Sequence, residues 1–419
     1  MIGKCIYEIQ TLIWIGLLIF ILKIGSRRRL NERFKTVYFV NHLSFLSKQQ
    51  LSGVAHHDTL AHLVRGLEPE LLSQLRDQMI NRLLRNKCLV KFRLYGYYLI
   101  TVDMTNYLTF KRRHCACCVR KKVKVGKGRK KRQWHYYHPV VEAKLVAPNG
   151  FALSIESEFV ENRESGQKRQ DCELKAAYRL LERLGKKYPQ LRICLVLDGL
   201  YVSEGILGLC ERYNWRVFIV LKKGKAPELY REYEVLKERC VGNHLEYECE
   251  GRDEKQSYWW VNDIDYKFMG RYYVNVLECV VTKKRPKKGE RKKTRWLWLT
   301  NFHVTAENCM VLANGGGRLR WNVENQGFKM QKRGGYNMEH AYIRDCGGAK
   351  VFYLLMQIAH IINQLIEKGS LLDEDLRKLL GGIRAIAEWL LEELRTNFFA
   401  PGEIDKLLAA RIQIRFDSS

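Results

Sequence analysis

The sequence has little of several things. Its apolar run, Leu12 to Leu22 (LIWIGLLIFIL), is shorter than the roughly 20 residues a membrane-spanning helix needs. Arg27 to Arg29 follow that run instead of preceding it, and no small-residue cleavage site is visible, which argues against a signal peptide. The expectation is a buried helix or an oligomer contact, with no membrane partner; a membrane-anchored basic protein is the alternative. The 13 cysteines show no dense, regular spacing, so a secreted disulfide scaffold is excluded and a reducing cytoplasm fits. Gly315 to Gly317 lacks the Gly-Lys-Ser/Thr ending of a phosphate loop, so no nucleotide cofactor is expected. No internal repeat is present. Acidic residues are scarce: 45 Asp and Glu face 73 Lys and Arg, a formal net charge of +28. Such an imbalance is self-repelling unless a polyanion is the working partner, and nucleic acid is the obvious candidate beside a merely scattered basic surface.

What is present is a globular chain of 419 residues, 46% of them hydrophobic, enough for a large core and two or three structural units. Residues 1–90 read as a helical module for DNA binding or dimerisation, with apolar residues at helical spacing in Leu60, Leu63, Leu67 and in Leu71, Leu75, Ile80, Leu83, Leu84. From Lys91 strand-like runs take over (KFRLYGYYLITVDMT, HYYHPVVEAKLV, FALSIESEFV), which predicts an antiparallel meander. An amphipathic helix follows, with Leu174, Ala177, Leu181 and Leu184 on one face and Pro189 at its exit. LRICLVLDG then reads as a strand buried on both faces, followed by a helix near Glu204 to Tyr213 and the strand WRVFIVLKK. The order βββαβαβ predicts an α/β, RNase H-like core with a mixed sheet. Residues 91–224 would form its first part, 225–300 an inserted β-rich subdomain, 301–368 its last part, and 369–419 a helical tail.

Two aspartates stand out in that plan. Asp103 closes LITVDMT and Asp198 closes ICLVLDG, so the fold would set both carboxylates side by side at one edge of the sheet. Paired carboxylates suit hard cations such as Mg²⁺ or Mn²⁺, and two ions about 4 Å apart clamp the attacking and leaving oxygens of phosphoryl transfer. Either residue alone would more simply be a turn former or a helix cap. Glu324, in RLRWNVE, is the best-placed third carboxylate, with Arg320 four residues earlier on the same helical face. That arginine would orient the glutamate or hold a phosphate, against the plainer reading of a surface salt bridge. Glu339, beyond Gly334 and Gly335, competes for the third position.

LITVDMT, KRQDCELKAAYRLLERL, LVLDGLYVSEG and RLRWNVENQGFKMQKRGGYNMEH resemble bacterial insertion-sequence transposases of the DDE class, in the group with a β-strand insertion before the last acidic residue. The resemblance covers most of the chain. It implies a metal triad of Asp103, Asp198 and Glu324 holding two Mg²⁺ or Mn²⁺ ions, cleavage at transposon ends, and attack of the released 3′-OH on target DNA. It also implies a nucleoid-associated place in a bacterial cytoplasm and a homodimer or larger oligomer on DNA. The group's signature, Y-x2-R-x3-E-x6-K, is matched by Arg320 and Glu324, whereas Gly317 stands at the tyrosine position and Gln331 at the lysine position, with Lys332 one residue later. A DNA-end-binding relic that no longer cuts is the second reading.

Three further features complete the expectations. The basic runs Lys121 to Arg132 and Lys283 to Arg295 read as loops able to track phosphates. Trp259, Trp260, Trp296 and Trp298 read mostly as sheet core, with one exposed ring available to stack on an extruded base. His114, Cys115 and Cys118 form a short cluster that could share a structural Zn²⁺ with His135 or His138, although buried, reduced cysteines are the plainer reading.

Overall fold

The computed structural model describes residues 6–112, 115–125, 131–162, 170–249, 254–267, 271–284, 291–398, 401–409 and 414–416. Its strands are β1 (Tyr98–Phe110), β2 (Val119–Val125), β3 (Lys131–Val146), β4 (Ala152–Phe159), β5 (Ile193–Leu197), β6 (Arg216–Val220), β7 (His244–Cys249), β8 (Glu254–Lys267), β9 (Arg271–Lys284) and β10 (Arg291–Thr300). They make one ten-stranded sheet in the order β2-β3-β1-β5-β6-β10-β9-β8-β7, with β4 paired to β3. The molecule is therefore mixed α/β around a large open sheet.

β5 reads ICLVL and is buried at every position, as expected of a parallel strand covered on both faces. It runs parallel to β1 and to β6, and the amphipathic helices Glu173–Lys187 and Glu204–Arg212 occupy the connections. Ala176, Ala177, Leu180, Leu181 and Leu184 bury one face of the first of these helices. β1, β3 and β4 form the antiparallel meander, and β2 pairs with the outer end of β3.

Two expectations differ from the structure. The described residues of the run Lys121 to Arg132, expected as a loop, are strand: Lys121 to Val125 end β2, Lys131 and Arg132 open β3, and 126–130 lie outside the described residues. Likewise Lys283 lies on β9 and Lys292, Lys293 and Arg295 on β10, while 285–290 lie outside the described residues. Lys121, Lys122, Lys124, Lys292 and Lys293 are exposed, so these strands carry charge into water. The strands expected as an inserted subdomain also prolong the central sheet, because β10 pairs antiparallel with β6 from Trp298 to Thr300.

The N-terminal helices Ile9–Ile21, Leu30–Arg33, Val37–Ser47, His57–Gly66 and Pro69–Arg85 cover one side of the core. The apolar run lies in the first, where Ile15, Ile19 and Phe20 are buried. That helix packs on Cys346–Lys368, and Gly16 permits the approach: a β-carbon there would sit 2.9 Å from Leu355 Cδ1. Cys346–Lys368 is long and apolar enough to cross a membrane, yet 83% of its most apolar window is buried inside the protein, so it serves as a core helix.

Between this helix and the sheet lies an unusual set of buried charges. Arg76, Glu142 and Lys144 are fully buried and Glu156 nearly so. Arg76 donates to Ser157 Oγ at 2.7 Å and to Glu156 Oε1 at 3.1 Å. Glu142 accepts from Ser157 and Tyr353, both at 2.8 Å, and Lys144 Nζ donates to Gln357 Oε1 at 2.9 Å. Burial drives the Lys144 ammonium down to about 8, with Glu142 holding it up and Arg76 pressing it further down. Burial alone would raise the Glu156 carboxyl, but Arg76, Lys187 and Arg183 outweigh it and hold that group below its ordinary value.

Arg76→Ala should lower unfolding free energy by roughly 3–5 kcal/mol in chemical denaturation, because removing one partner strands the others in a dry interior. Glu156 also sets an acid limb: its stabilisation is present above the ordinary glutamate pKa of about 4.3 and is lost as pH falls through the lower folded value. Thermal midpoints measured against pH should therefore fall less steeply on the acid side for Glu156→Gln than for the unsubstituted chain.

Candidate active site

The parallel ladder between β1 and β5 ends at Val102 and Leu197, so the next residues, Asp103 and Asp198, emerge beside each other at the carboxyl end of the pair. Asp103 lies within β1, which runs on to Phe110 against β3, and not at a strand terminus. Asp198 follows β5 directly. Gly199 then lets the chain turn tightly, since a β-carbon there would meet Val220 O at 2.8 Å.

Glu324 arrives from a different part of the chain. Gly317–Arg320 is a short 3-10 turn, and Val323–Phe328 is a π-helical turn in which Lys329 N–H donates to Glu324 O, five residues back. Asn322 Nδ2 donates to Ala147 O at 2.9 Å and ties this segment to the end of β3. Gly327 lies against the Lys144 stem, 3.1 Å from where a β-carbon would be. Asp103, Met104, Thr105, Glu324, Phe328, Lys329, Lys332 and Arg333 line one open cleft.

Two local features account for the cleft lysine standing at 332 and for glycine at 317. A π-turn takes one residue more than an α-turn, so the residue that returns to the Glu324 face shifts from position 331 to 332. Gln331 is accordingly fully buried, donating to Gln357 Oε1 at 2.7 Å, while Lys332 faces the cleft and pairs with Glu339 at 3.0 Å. Gly317 packs on the indole of Trp298, and a β-carbon there would come within 2.5 Å of the ring. A tyrosine has no room at that position.

Arg320 does not act on Glu324 as an i,i+4 partner. Its guanidinium reaches Asp103 at 3.6 Å and lies 5.0 Å from the centre of the Trp321 ring, because the mixed helical turns rotate it away from the expected face. Glu339 lies beyond the helix that ends at Arg333, exposed and outside the cleft lining.

Each carboxyl feels its surroundings differently. Burial raises the Asp103 carboxyl; the Met104 N–H and Arg320 oppose this, and the charges of Asp198 and Glu324 add to it. Asp198 goes the other way: burial is outweighed by the hydrogen bond and charge of Lys222, the Gly199 N–H and Arg320, so its carboxyl is lowered. Lys222 Nζ donates to Asp198 Oδ1 at 2.7 Å. Among the described residues, the triad is not one of the groups whose donor atoms all lie within 4.8 Å of one another. Asp103 and Glu324 line the same open cleft, and Asp198 follows the strand paired with β1. Carboxylate oxygens beside open solvent are the donors a hard cation takes, with waters filling the remaining positions.

Two participants were not read from the sequence. Glu173, first residue of its helix, accepts from Tyr201 Oη at 2.9 Å; burial raises its carboxyl, and Asp103 and Asp198 raise it further. It lay in the quoted segment KRQDCELKAAY, where an acidic residue opening a helix reads simply as a favourable dipole partner. Lys222 follows β6, the next parallel strand, and convergence at the carboxyl ends of parallel strands was the available signal. Of the four tryptophans expected mostly as sheet core, Trp260 and Trp298 are buried, Trp259 stacks on His244, and Trp296 lies under Arg318. Trp321, three residues before Glu324 in the chain, is exposed.

No protein-family model matches the chain, and no curated protein matches it significantly.

In carboxyl-carbon NMR titrations without divalent cations, Asp103 should titrate above the ordinary aspartate value of about 3.9 and Asp198 below it. Lys222→Gln should move Asp198 upward and Arg320→Gln should move Asp103 further upward. Unchanged midpoints in both variants would show that these ion pairs do not set the site's charge.

Proposed function

We propose that the chain is a DNA transposase of the DDE class, an endonuclease and strand transferase built on an RNase H-like core. The observation that carries this reading is the convergence of Asp103, Asp198 and Glu324, from three distant segments, at the carboxyl end of the β1/β5 pair beside a cleft rimmed by Lys329, Lys332 and Arg333. The order β4-β3-β1-β5-β6, with the first three antiparallel and the last two parallel to β1, supports the RNase H-like assignment.

Two Mg²⁺ or Mn²⁺ ions held by Asp103, Asp198 and Glu324 would activate the attacking oxygen and stabilise the leaving one. Arg320 and Lys332 hold positive charge on either side of the carboxylates and would position the scissile phosphate, Arg320 through its planar fork and Lys332 as a point charge. Lys222 keeps Asp198 ionised before substrate arrives. Exposed Lys121, Lys122 and Lys124 on β2 and Lys292 and Lys293 on β10 supply phosphate contacts that fix register without reading sequence. The net charge of +28 favours a DNA partner, and joining two transposon ends calls for at least two chains on DNA.

The test is cleavage of a supercoiled plasmid carrying the element's flanking DNA, with Mg²⁺, Mn²⁺ or EDTA. Cutting at the element boundaries should require metal, and Asp103→Asn, Asp198→Asn and Glu324→Gln should each reduce it by roughly a hundredfold or more while leaving end binding intact. End binding without cutting under every metal would replace this reading with that of a relic.

A further inference from the structure

We infer that Cys115, Cys118 and His138 form a structural zinc site, completed by Cys346 or Cys117, that fastens the basic β2–β3 hairpin to the core. Cys115 Sγ lies 3.5 Å from Cys118 Sγ and 3.5 Å from His138 Nε2, and Cys118 Sγ lies 3.1 Å from the same nitrogen. Around a tetrahedral zinc with bonds of about 2.3 Å to sulfur and about 2.0 Å to nitrogen, such ligand atoms stand roughly 3.5–3.8 Å apart. The three donors already form one face of that tetrahedron to within about half an ångström. Sulfur and imidazole together select zinc over the hard cations suited to carboxylates.

The fourth position has two candidates. Cys115, Cys117 and Cys346 also bring their sulfurs within 4.8 Å of one another, so the two groups share Cys115. Cys346 opens the core helix Cys346–Lys368, and a ligand from there would join three segments remote in sequence: the 115–118 turn, β3 and that helix. Cys118 and His138 are almost fully buried, and the His138 ring stands 6.0 Å from Tyr107 and 6.1 Å from Phe110, which fix its plane. Of the two histidines considered from sequence, His138 and not His135 meets the cysteines; His114 lies outside the described residues. Cysteines 115 and 118 supply the C-x-x-C spacing usual for zinc, and the ion would release their thiol protons on binding.

This site is independent of the carboxylate cleft, so its test does not rely on DNA cutting. The full chain, purified under reducing conditions without chelator, should contain about one zinc per chain by elemental mass spectrometry. Replacing zinc by Co²⁺ should give the visible absorption of a tetrahedral thiolate site. Cys118→Ser and His138→Gln should each lower zinc content about tenfold or more, whereas Asp198→Asn should keep it. Should those variants fail to fold, the zinc content and cobalt spectrum of the unsubstituted chain still decide. A chain that stays metal-free after equilibration with Zn²⁺, or that shows a Cys115–Cys118 disulfide under the same reducing conditions, overturns the assignment.

Discussion

A lysine with no access to water constrains much of this structure. Lys144 is fully buried beneath the turn that carries Glu324, with its ammonium hydrogen-bonded to Gln357 and 3.8 Å from Glu142. A charge so placed is tolerated only if every neighbour is satisfied, and that requirement fixes the surrounding parts. Glu142 must be held by Ser154, Ser157 and Tyr353, Glu156 by Arg76, and Gln357 by Gln331. Helix Pro69–Arg85, strands β3 and β4, the Glu324 segment and the core helix are thereby locked into one register. Gly327 is the contact through which the lysine stem sets the height of the Glu324 turn.

The same constraint shapes the candidate site. Gln331 is drawn into the buried network, and the π-turn supplies the extra residue that leaves Lys332 facing the cleft. Glu324 is exposed and Asp103 half-buried, so the helical wall of the cleft is the wetter one. Arg320 and Lys222 neutralise part of the aspartate charge, which otherwise would set Asp103, Asp198, Glu173 and Glu324 against one another.

The strands beyond β6 belong to the same economy of edges. An open parallel edge at β6 would expose unpaired backbone groups, and β10 covers it, followed by β9, β8 and β7. Trp298 on β10 then lies against Gly317, so the added strands also seat the turn that leads into Arg320 and Glu324. The extension therefore supports the site from the side opposite the buried lysine.

The sequence by itself determined the stretch from Glu173 to β6, because amphipathic periodicity in Glu173–Lys187 and the unbroken apolar run of β5 are local properties of the chain; it missed β2 and the helix Pro227–Arg239. It also singled out Asp103, Asp198 and Glu324 as candidates, since acidic residues that follow apolar runs, or stand four residues from an arginine, are visible without coordinates. Only the tertiary structure decided which face Arg320 takes, why 332 and not 331 carries the cleft lysine, and that Glu173 and Lys222 share the same space. It likewise decided that His138 meets Cys115 and Cys118, and that the later strands join the central sheet through β10 and β6. The reason is physical: strand and helix periods are set by neighbouring residues, whereas a π-turn, a buried charge or a ligand cluster is set by contacts between segments up to some two hundred residues apart, as between Lys144 and Gln357.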